Sequence, residues 1–188
     1  MGVSLYDISV GQFLQTLGAL SGILDKGAKF AAANNIDLTE IIDSKVHPTM
    51  LPFSFQVVSA VHHSKGAIAA MKSGKATPPG PAPEGGYPAL QQLVADAITS
   101  LKAEKPEEIN ALAGNDVLFQ LGENFKLPFT AEGFLMSFEL PNFYFHTTMA
   151  YGILRARGVE LGKRDFMGAM RLKQRLMKGL GNSKRLKQ

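Results

Sequence analysis

The chain has 188 residues, of which 45% are hydrophobic and 19% are charged, and it contains no cysteine. This length suits one domain that buries its own core without disulfide bonds. The lack of cysteine excludes disulfide scaffolds, thiolate metal sites and cysteine nucleophiles. The first residues lack the basic start and apolar core of a signal peptide, and no later run approaches the roughly 20 apolar residues of a membrane span. We therefore expect a cytoplasmic protein with no membrane contact.

Charge is distributed unevenly along the chain. There are 20 Lys and Arg residues against 16 Asp and Glu, but 11 of the basic residues and only two of the acidic ones lie from Arg155 onward. The sequence thus predicts a mildly acidic helical domain over residues 1–168 and a basic C-terminal extension over residues 169–188. Phe166, Met170 and Met177 recur at helical spacing opposite basic residues, which predicts an amphipathic tail helix from Asp165.

Apolar residues recur every three or four positions in four long segments, which predicts a mainly α-helical fold. Asp7 is the predicted cap of the first helix, and Pro141 predicts a kink or break in the last. Alternating apolar residues around Gly122 predict a small β-hairpin over one end of the bundle, before the last long helix. The predicted elements are a helix from Asp7 to about Asn35, a helical turn over Leu38–Asp43, helices over Leu51–Ser73 and Tyr87–Lys105, strands over Val117–Leu121 and Phe125–Phe129, and a helix over Thr130–Arg157.

His146 is the most informative polar residue, because it falls within the apolar face of the helix that Pro141 opens. A buried imidazole needs partners. On the second helix His63 can reach a helix–helix seam, whereas His62 lies nearly opposite and is expected to face solvent. If the second and fourth helices are neighbours, His63 and His146 face one another with Asn142 one turn away. Each histidine is a candidate general base or metal ligand, and the alternative is a hydrogen-bonded core residue.

The sequence gives less support to other kinds of binding site. The chain has no phosphate-binding glycine loop, and the basic tail lacks the interleaved aromatic residues that stack on bases, which argues against nucleotides and nucleic acids as partners. The aromatic residues of the last long helix suit core packing, but Tyr151 is a candidate for contact with a ligand or an interface.

Four blocks of sequence resemble a known family. They are Leu140–Gly168 (LPNFYFHTTMAYGILRARGVELGKRDFMG), Ser4–Asp7 with the helix that follows, His47–Pro52, and His63–Gly66 after Gln56. Together they resemble an uncharacterised family of the DinB/YfiT-like four-helix-bundle superfamily, over about residues 4–168.

The resemblance implies an up-down four-helix bundle with a long crossover, and often a homodimer. Better-studied members of the superfamily carry a histidine triad on helices two and four that binds a divalent metal, and some are metal-dependent hydrolases or thiol transferases. By position, His63 corresponds to the helix-two ligand, and His146 with Asn142 corresponds to the helix-four pair. Asn142 replaces an imidazole with a neutral amide, so any zinc or nickel ion is expected to be weakly held.

The sequence therefore predicts a homodimeric DinB-like protein whose pocket between helices two and four binds a small molecule or a weakly held divalent metal. The residues assigned to this pocket are His63, Asn142, His146 and, for ligand contact, Tyr151. A divergent metal-dependent hydrolase or transferase is the corresponding enzyme class. The alternative is a non-catalytic dimeric interaction protein that uses its basic C-terminal helix to recruit an acidic partner.

Overall fold

The computed structural model describes residues 2–172, and most of these residues form helices. The helices are α1 (Leu5–Ile8), α2 (Val10–Asn34), α3 (Leu38–Ile42), α4 (Phe53–Val61), α5 (Ala67–Ser73), α6 (Gly86–Lys102), α7 (Pro106–Asn110), α8 (Ala131–Phe134), α9 (Leu140–Ala156) and α10 (Lys163–Met167). Two π-helical segments, π1 (His62–Gly66) and π2 (Leu135–Glu139), join α4 to α5 and α8 to α9. The second and fourth bundle helices are therefore continuous over residues 53–73 and 131–156.

Four long helices pack around one apolar core, which confirms the mainly α prediction. The first bundle helix, α2, packs on the third, α6; the second packs on both the third and the fourth; and the fourth also contacts the first. The order around the bundle is thus first, third, second, fourth. The chain between the first and second helices consequently crosses the bundle, and the second and fourth helices are direct neighbours along α4 and α9.

The helix ends follow their local sequence, with one correction at the N-terminus. Asp7 was expected to cap the first long helix, but Ser4 caps the short helix α1, and Asp7 completes a capping box by accepting hydrogen bonds from Ser4. A break at Ser9 then separates α1 from α2. At the other end of α2, Asn35 adopts a left-handed conformation (φ 54°), a backbone shape that asparagine tolerates better than most residues.

The predicted hairpin is present. Strand β2 (Asp116–Leu121) pairs antiparallel with β3 (Phe125–Thr130), and Val117 lies opposite Phe129. A third strand that the sequence did not predict, β1 (Lys75–Ala76), pairs parallel with β2. Because β1 has only two residues, it carries no alternating pattern that could reveal it.

The fourth bundle helix passes through Pro141 without the predicted break. Proline in a helix crowds the carbonyl four residues earlier, here that of Ser137. Ser137 lies within π2, so the helix widens by a π turn just before the proline and then continues as α9. The proline is therefore accommodated by a change of helix type.

The C-terminal residues that the structure describes do not form the predicted long tail helix. The short helix α10 ends at Gly168, whose φ of 60° turns the chain against α2; a Cβ there would lie 3.0 Å from the Gln15 carbonyl oxygen. Asp165 pairs with Lys26 at 2.9 Å and fixes α10 to α2. The remainder of the predicted tail helix, with Met177, lies outside the described residues. Within residues 2–172, no helix combines the length and hydrophobicity needed to cross a bilayer.

Gly27 allows the first and third bundle helices to approach closely. The buried Tyr87 donates a hydrogen bond to the Leu24 carbonyl at 2.8 Å, and a Cβ at Gly27 would lie 2.4 Å from the Tyr87 hydroxyl. We expect Gly27→Ala to lower the free energy of unfolding by about 1–3 kcal/mol, because it overpacks the core and displaces this hydroxyl. Urea denaturation followed by circular dichroism measures the change.

Gly22→Ala is the matched control for that substitution. Gly22 is exposed on the same helix, and apart from the backbone of that helix no atom of residues 2–172 lies within 4 Å of a Cβ placed there. Alanine at this position is expected to raise the free energy of unfolding by up to about 1 kcal/mol, through helix propensity alone. Equal effects of the two substitutions would show that Gly27 has no packing role.

Candidate functional site

The two π-helical segments lie in neighbouring bundle helices and contribute the central residues of the site. His63 is the second residue of π1, and Glu139 is the last residue of π2. A π turn interrupts the regular helical repeat and is found mostly as an isolated turn, often at a functional position. Here both turns place a polar side chain inside the interface between the second and fourth helices.

Glu139 and His63 form a buried hydrogen-bonded pair. The Nδ1 atom of His63 lies 2.7 Å from Oε2 of Glu139, and the two side chains are 7% and 3% exposed, respectively. An ionised carboxylate can only accept hydrogen bonds, so Nδ1 of His63 is the donor when Glu139 is charged. The pair satisfies a carboxylate that would otherwise be costly to bury.

His146 stacks on His63 from the fourth bundle helix. The ring centroids are 5.5 Å apart, and the ring planes are within 4° of parallel. Gln56 uses its amide nitrogen to donate to the Leu51 carbonyl, so its Oε1 accepts from Nδ1 of His146 at 2.8 Å. Burial, with a smaller contribution from the charge of His63, lowers the pKa of His146 to about 4. His146 is therefore neutral near pH 7, with its proton on Nδ1 and a lone pair on Nε2.

His62 lies on the other side of His63 and is half-buried, so the expectation that it faces solvent is wrong. Its Nε2 atom donates to the Thr77 carbonyl at 2.7 Å, and its ring meets the His63 ring edge to face. Burial lowers the pKa of His62, and the charge of His63 lowers it further. The prediction failed because it assumed an uninterrupted α-helix and an open surface, whereas π1 begins at His62 and the segment after β1 covers the imidazole.

A small cavity opens beside this cluster, and Glu139 lines it. The cavity has a volume of about 190 Å³, and its polar lining also includes His62, Ser73, Lys75 and Thr77. The second carboxylate oxygen of Glu139, Oε1, has no hydrogen-bond partner among residues 2–172. This oxygen is not among the fully buried unpaired atoms of these residues, so it is open to the cavity and can accept a hydrogen bond from whatever enters it.

The structure brings together some of the residues that the sequence singled out. His63 and His146 meet as expected, but Asn142 turns its amide nitrogen to the Phe138 carbonyl at 2.7 Å, within its own helix. Tyr151 packs edge to face on Phe166, with ring centroids 5.9 Å apart, instead of joining the histidines. Sequence reasoning missed Glu139. Its one signal was a carboxylate in the apolar run before Pro141, the same kind of signal that pointed to His146.

The donor set does not fit the three-ligand metal site that the family resemblance implies. Residues 2–172 hold no group of three His, Asp or Glu side chains arranged to bind a metal. The lone pair of an imidazole lies in its ring plane, so the stacked rings of His63 and His146 do not aim at one point. The amide of Asn142, directed at a carbonyl, supplies no third ligand.

The depressed pKa of His146 predicts how stability depends on pH. The imidazole has an ordinary pKa near 6.5 when unfolded and about 4 when folded, so the unfolded chain binds more protons between these values. Stability from neutral His146 is fully present above pH 6.5 and is lost as pH falls toward 4. We expect His146→Gln, which can still donate to Gln56, to make the urea midpoint less sensitive to pH between 6.5 and 4.5.

His47→Gln serves as the reference for that experiment. His47 is exposed and bonds only to the nearby Thr49. Its replacement should leave the pH dependence of the urea midpoint unchanged. An identical slope for wild type and His146→Gln would contradict the assignment of a neutral, acid-sensitive His146.

Comparison with known proteins agrees with this fold. Residues 5–167 match the family described as "Domain of unknown function (DUF1993)". The crystal structure of a DinB family member protein from Shewanella denitrificans, at 1.83 Å resolution, is similar with a TM-score of 0.72 and 29% sequence identity; the match covers 90% of this chain and 94% of that one. No curated protein matches the chain. With nearly all of its described residues inside the match, the chain belongs to the DUF1993 family and has a DinB-like helical fold.

Proposed function

We propose that this protein binds a small molecule carrying a hydroxyl or amide N–H group, and that Glu139 accepts the hydrogen bond from that group. The observation that carries the proposal is the buried Glu139 carboxylate, with one oxygen bonded to His63 and the other facing a cavity without a partner. Because this oxygen is open to the cavity, a ligand that carries a donor group can bond to it directly.

The polar surroundings favour a neutral donor over a cation. Glu139 is already paired with an imidazole, and Lys75 contributes a positive charge at the rim of the cavity. At about 190 Å³ the cavity is smaller than the 300–1,000 Å³ typical of drug-sized sites, so it suits a head group of a few heavy atoms. The ligand class is therefore a small alcohol, amide or similar donor.

Within this proposal Glu139 also acts as a general base. A ligand hydroxyl or a water molecule that donates to Oε1 can transfer its proton there, which leaves a more nucleophilic oxygen on the ligand or water. His63 is a positioning residue, because its Nδ1 hydrogen bond fixes the carboxylate and stabilises its charge. Such activation of an oxygen nucleophile is the step that a hydrolase or transferase of the predicted class requires.

Glu139→Gln tests the proposal because it replaces the hydrogen-bond acceptor that faces the cavity with a hydrogen-bond donor. The glutamine oxygen can still accept from His63, which turns its amide nitrogen, a donor, toward the cavity. We expect ethanol to shift the imidazole signals of His62 and His63 saturably in the wild-type protein, and acetonitrile, an acceptor of the same size, to shift them in the variant instead. Titrations followed by ¹H–¹³C NMR of the histidine rings provide the measurement.

Glu107→Gln, at an exposed carboxylate on α7, should behave like the wild-type protein. Amide spectra establish that each variant is folded. Ala69→Phe gives an independent control, because Ala69 is exposed and lines the cavity, so a larger side chain should block binding without disturbing the core. If ethanol binds the wild-type and Glu139→Gln proteins equally, Glu139 is not the acceptor.

The weakly held zinc or nickel ion stays a prediction with a separate test. From the geometry of the donor set, we expect untagged protein loaded with zinc or nickel and then dialysed to retain well below one equivalent of metal. Elemental analysis of the wild-type protein beside His63→Ala and His146→Ala measures this. One equivalent of metal in the wild type that is lost in both variants would make the two imidazoles metal ligands.

A further inference from the structure

A second cavity adjoins the first and is mostly apolar. Its volume is about 350 Å³, and it lies between the second and third bundle helices under the proline-rich segment that follows β1. Val58, Val61 and Leu93 contribute helix side chains to its wall, and Pro81 and Pro83 contribute the opposite side. Such a lining offers apolar contact to a hydrocarbon group and few hydrogen-bonding atoms.

His62 stands at the boundary between the two cavities. His62, Gly66 and Ala69 line both. The imidazole is held on one side by its hydrogen bond to the Thr77 carbonyl, and on the other by close approach to Gly66, where a Cβ would lie 3.4 Å from Nδ1. The hydrogen bond to Thr77 thus orients an imidazole that borders both the polar cavity and the apolar one.

We propose that the two cavities are the head and tail compartments of one alcohol-binding site, and that His62 is the partition that limits the length of the tail. The inference rests on the proposed function, because Glu139 supplies the acceptor for the hydroxyl head. A short alcohol occupies the polar compartment alone. A longer chain meets the His62 imidazole, which must break its bond to Thr77 before the tail can enter the apolar compartment. His62 is therefore a specificity-determining residue for ligand length.

The test compares ethanol with 1-hexanol in wild-type protein, His62→Ala and the control His47→Ala. In the wild type and the control, the two alcohols should bind within about threefold of one another. Removing the partition should strengthen 1-hexanol binding by more than tenfold, since each methylene withdrawn from water is worth roughly three- to fourfold in affinity. Ethanol affinity should change by less than threefold. The histidine and amide NMR signals report both affinity and location.

Two further variants keep the result interpretable. His62→Asn also shortens the side chain but stays polar at this half-buried position, so it should give the same ranking even if His62→Ala is poorly folded. The double variant His62→Ala/Ala69→Phe should lose the gain for 1-hexanol, because the phenyl ring refills the boundary. If the double variant kept the gain for 1-hexanol, the proposal would be overturned.

The outcomes separate this inference from the function on which it rests. If ethanol fails to bind the wild-type protein, the Glu139 site itself is wrong. If ethanol binds but 1-hexanol gains nothing in folded His62→Ala and His62→Asn, the Glu139 site stands and the partition is wrong. A wild-type protein that already binds 1-hexanol more than tenfold tighter than ethanol would also show that His62 does not limit the tail.

Discussion

The hydrogen bond between Glu139 and His63 is the constraint on which the rest of the site depends. It joins the second and fourth bundle helices inside a mostly apolar core, and both partners lie in π-helical turns. A carboxylate is rarely buried without a partner because desolvation disfavours its charged form. Since His63 compensates only one oxygen of Glu139, the arrangement stabilises the buried charge and still leaves an acceptor that faces the cavity.

The polar groups around this bond form a connected series across the helix interface. Gln56 is anchored by the Leu51 carbonyl, its oxygen orients His146, and His146 stacks on His63, which contacts Glu139. Each link fixes the next ring or carboxylate in one orientation. A site preorganised in this way has its acceptor in place before a ligand arrives, so less ordering is required on binding.

The sequence predicted the helices and strands that have a regular pattern of apolar residues, and its predictions failed where the helix repeat changes. Alternating apolar residues predicted the two strands of the hairpin, and regular helical spacing predicted that His63 and His146 could face one another. The position of His62 was wrong, and Glu139 was overlooked, because both lie in π turns that no simple residue pattern announces. The cavities also depend on the segment after β1, whose path over the helices is set by tertiary contacts.

The residues of this site can be compared with the metal-binding triad that the DinB-like resemblance implies. Where the resemblance implies a metal-binding triad, this chain has Asn142, whose amide is engaged within its own helix. The buried carboxylate of Glu139 lies instead at the Nδ1 edge of the His63 ring, whereas the His146 ring stacks on its face. Through Nδ1, His63 donates to this carboxylate and holds its orientation. Under the proposed function, the acceptor on Glu139, and not an imidazole, is the atom that meets the ligand.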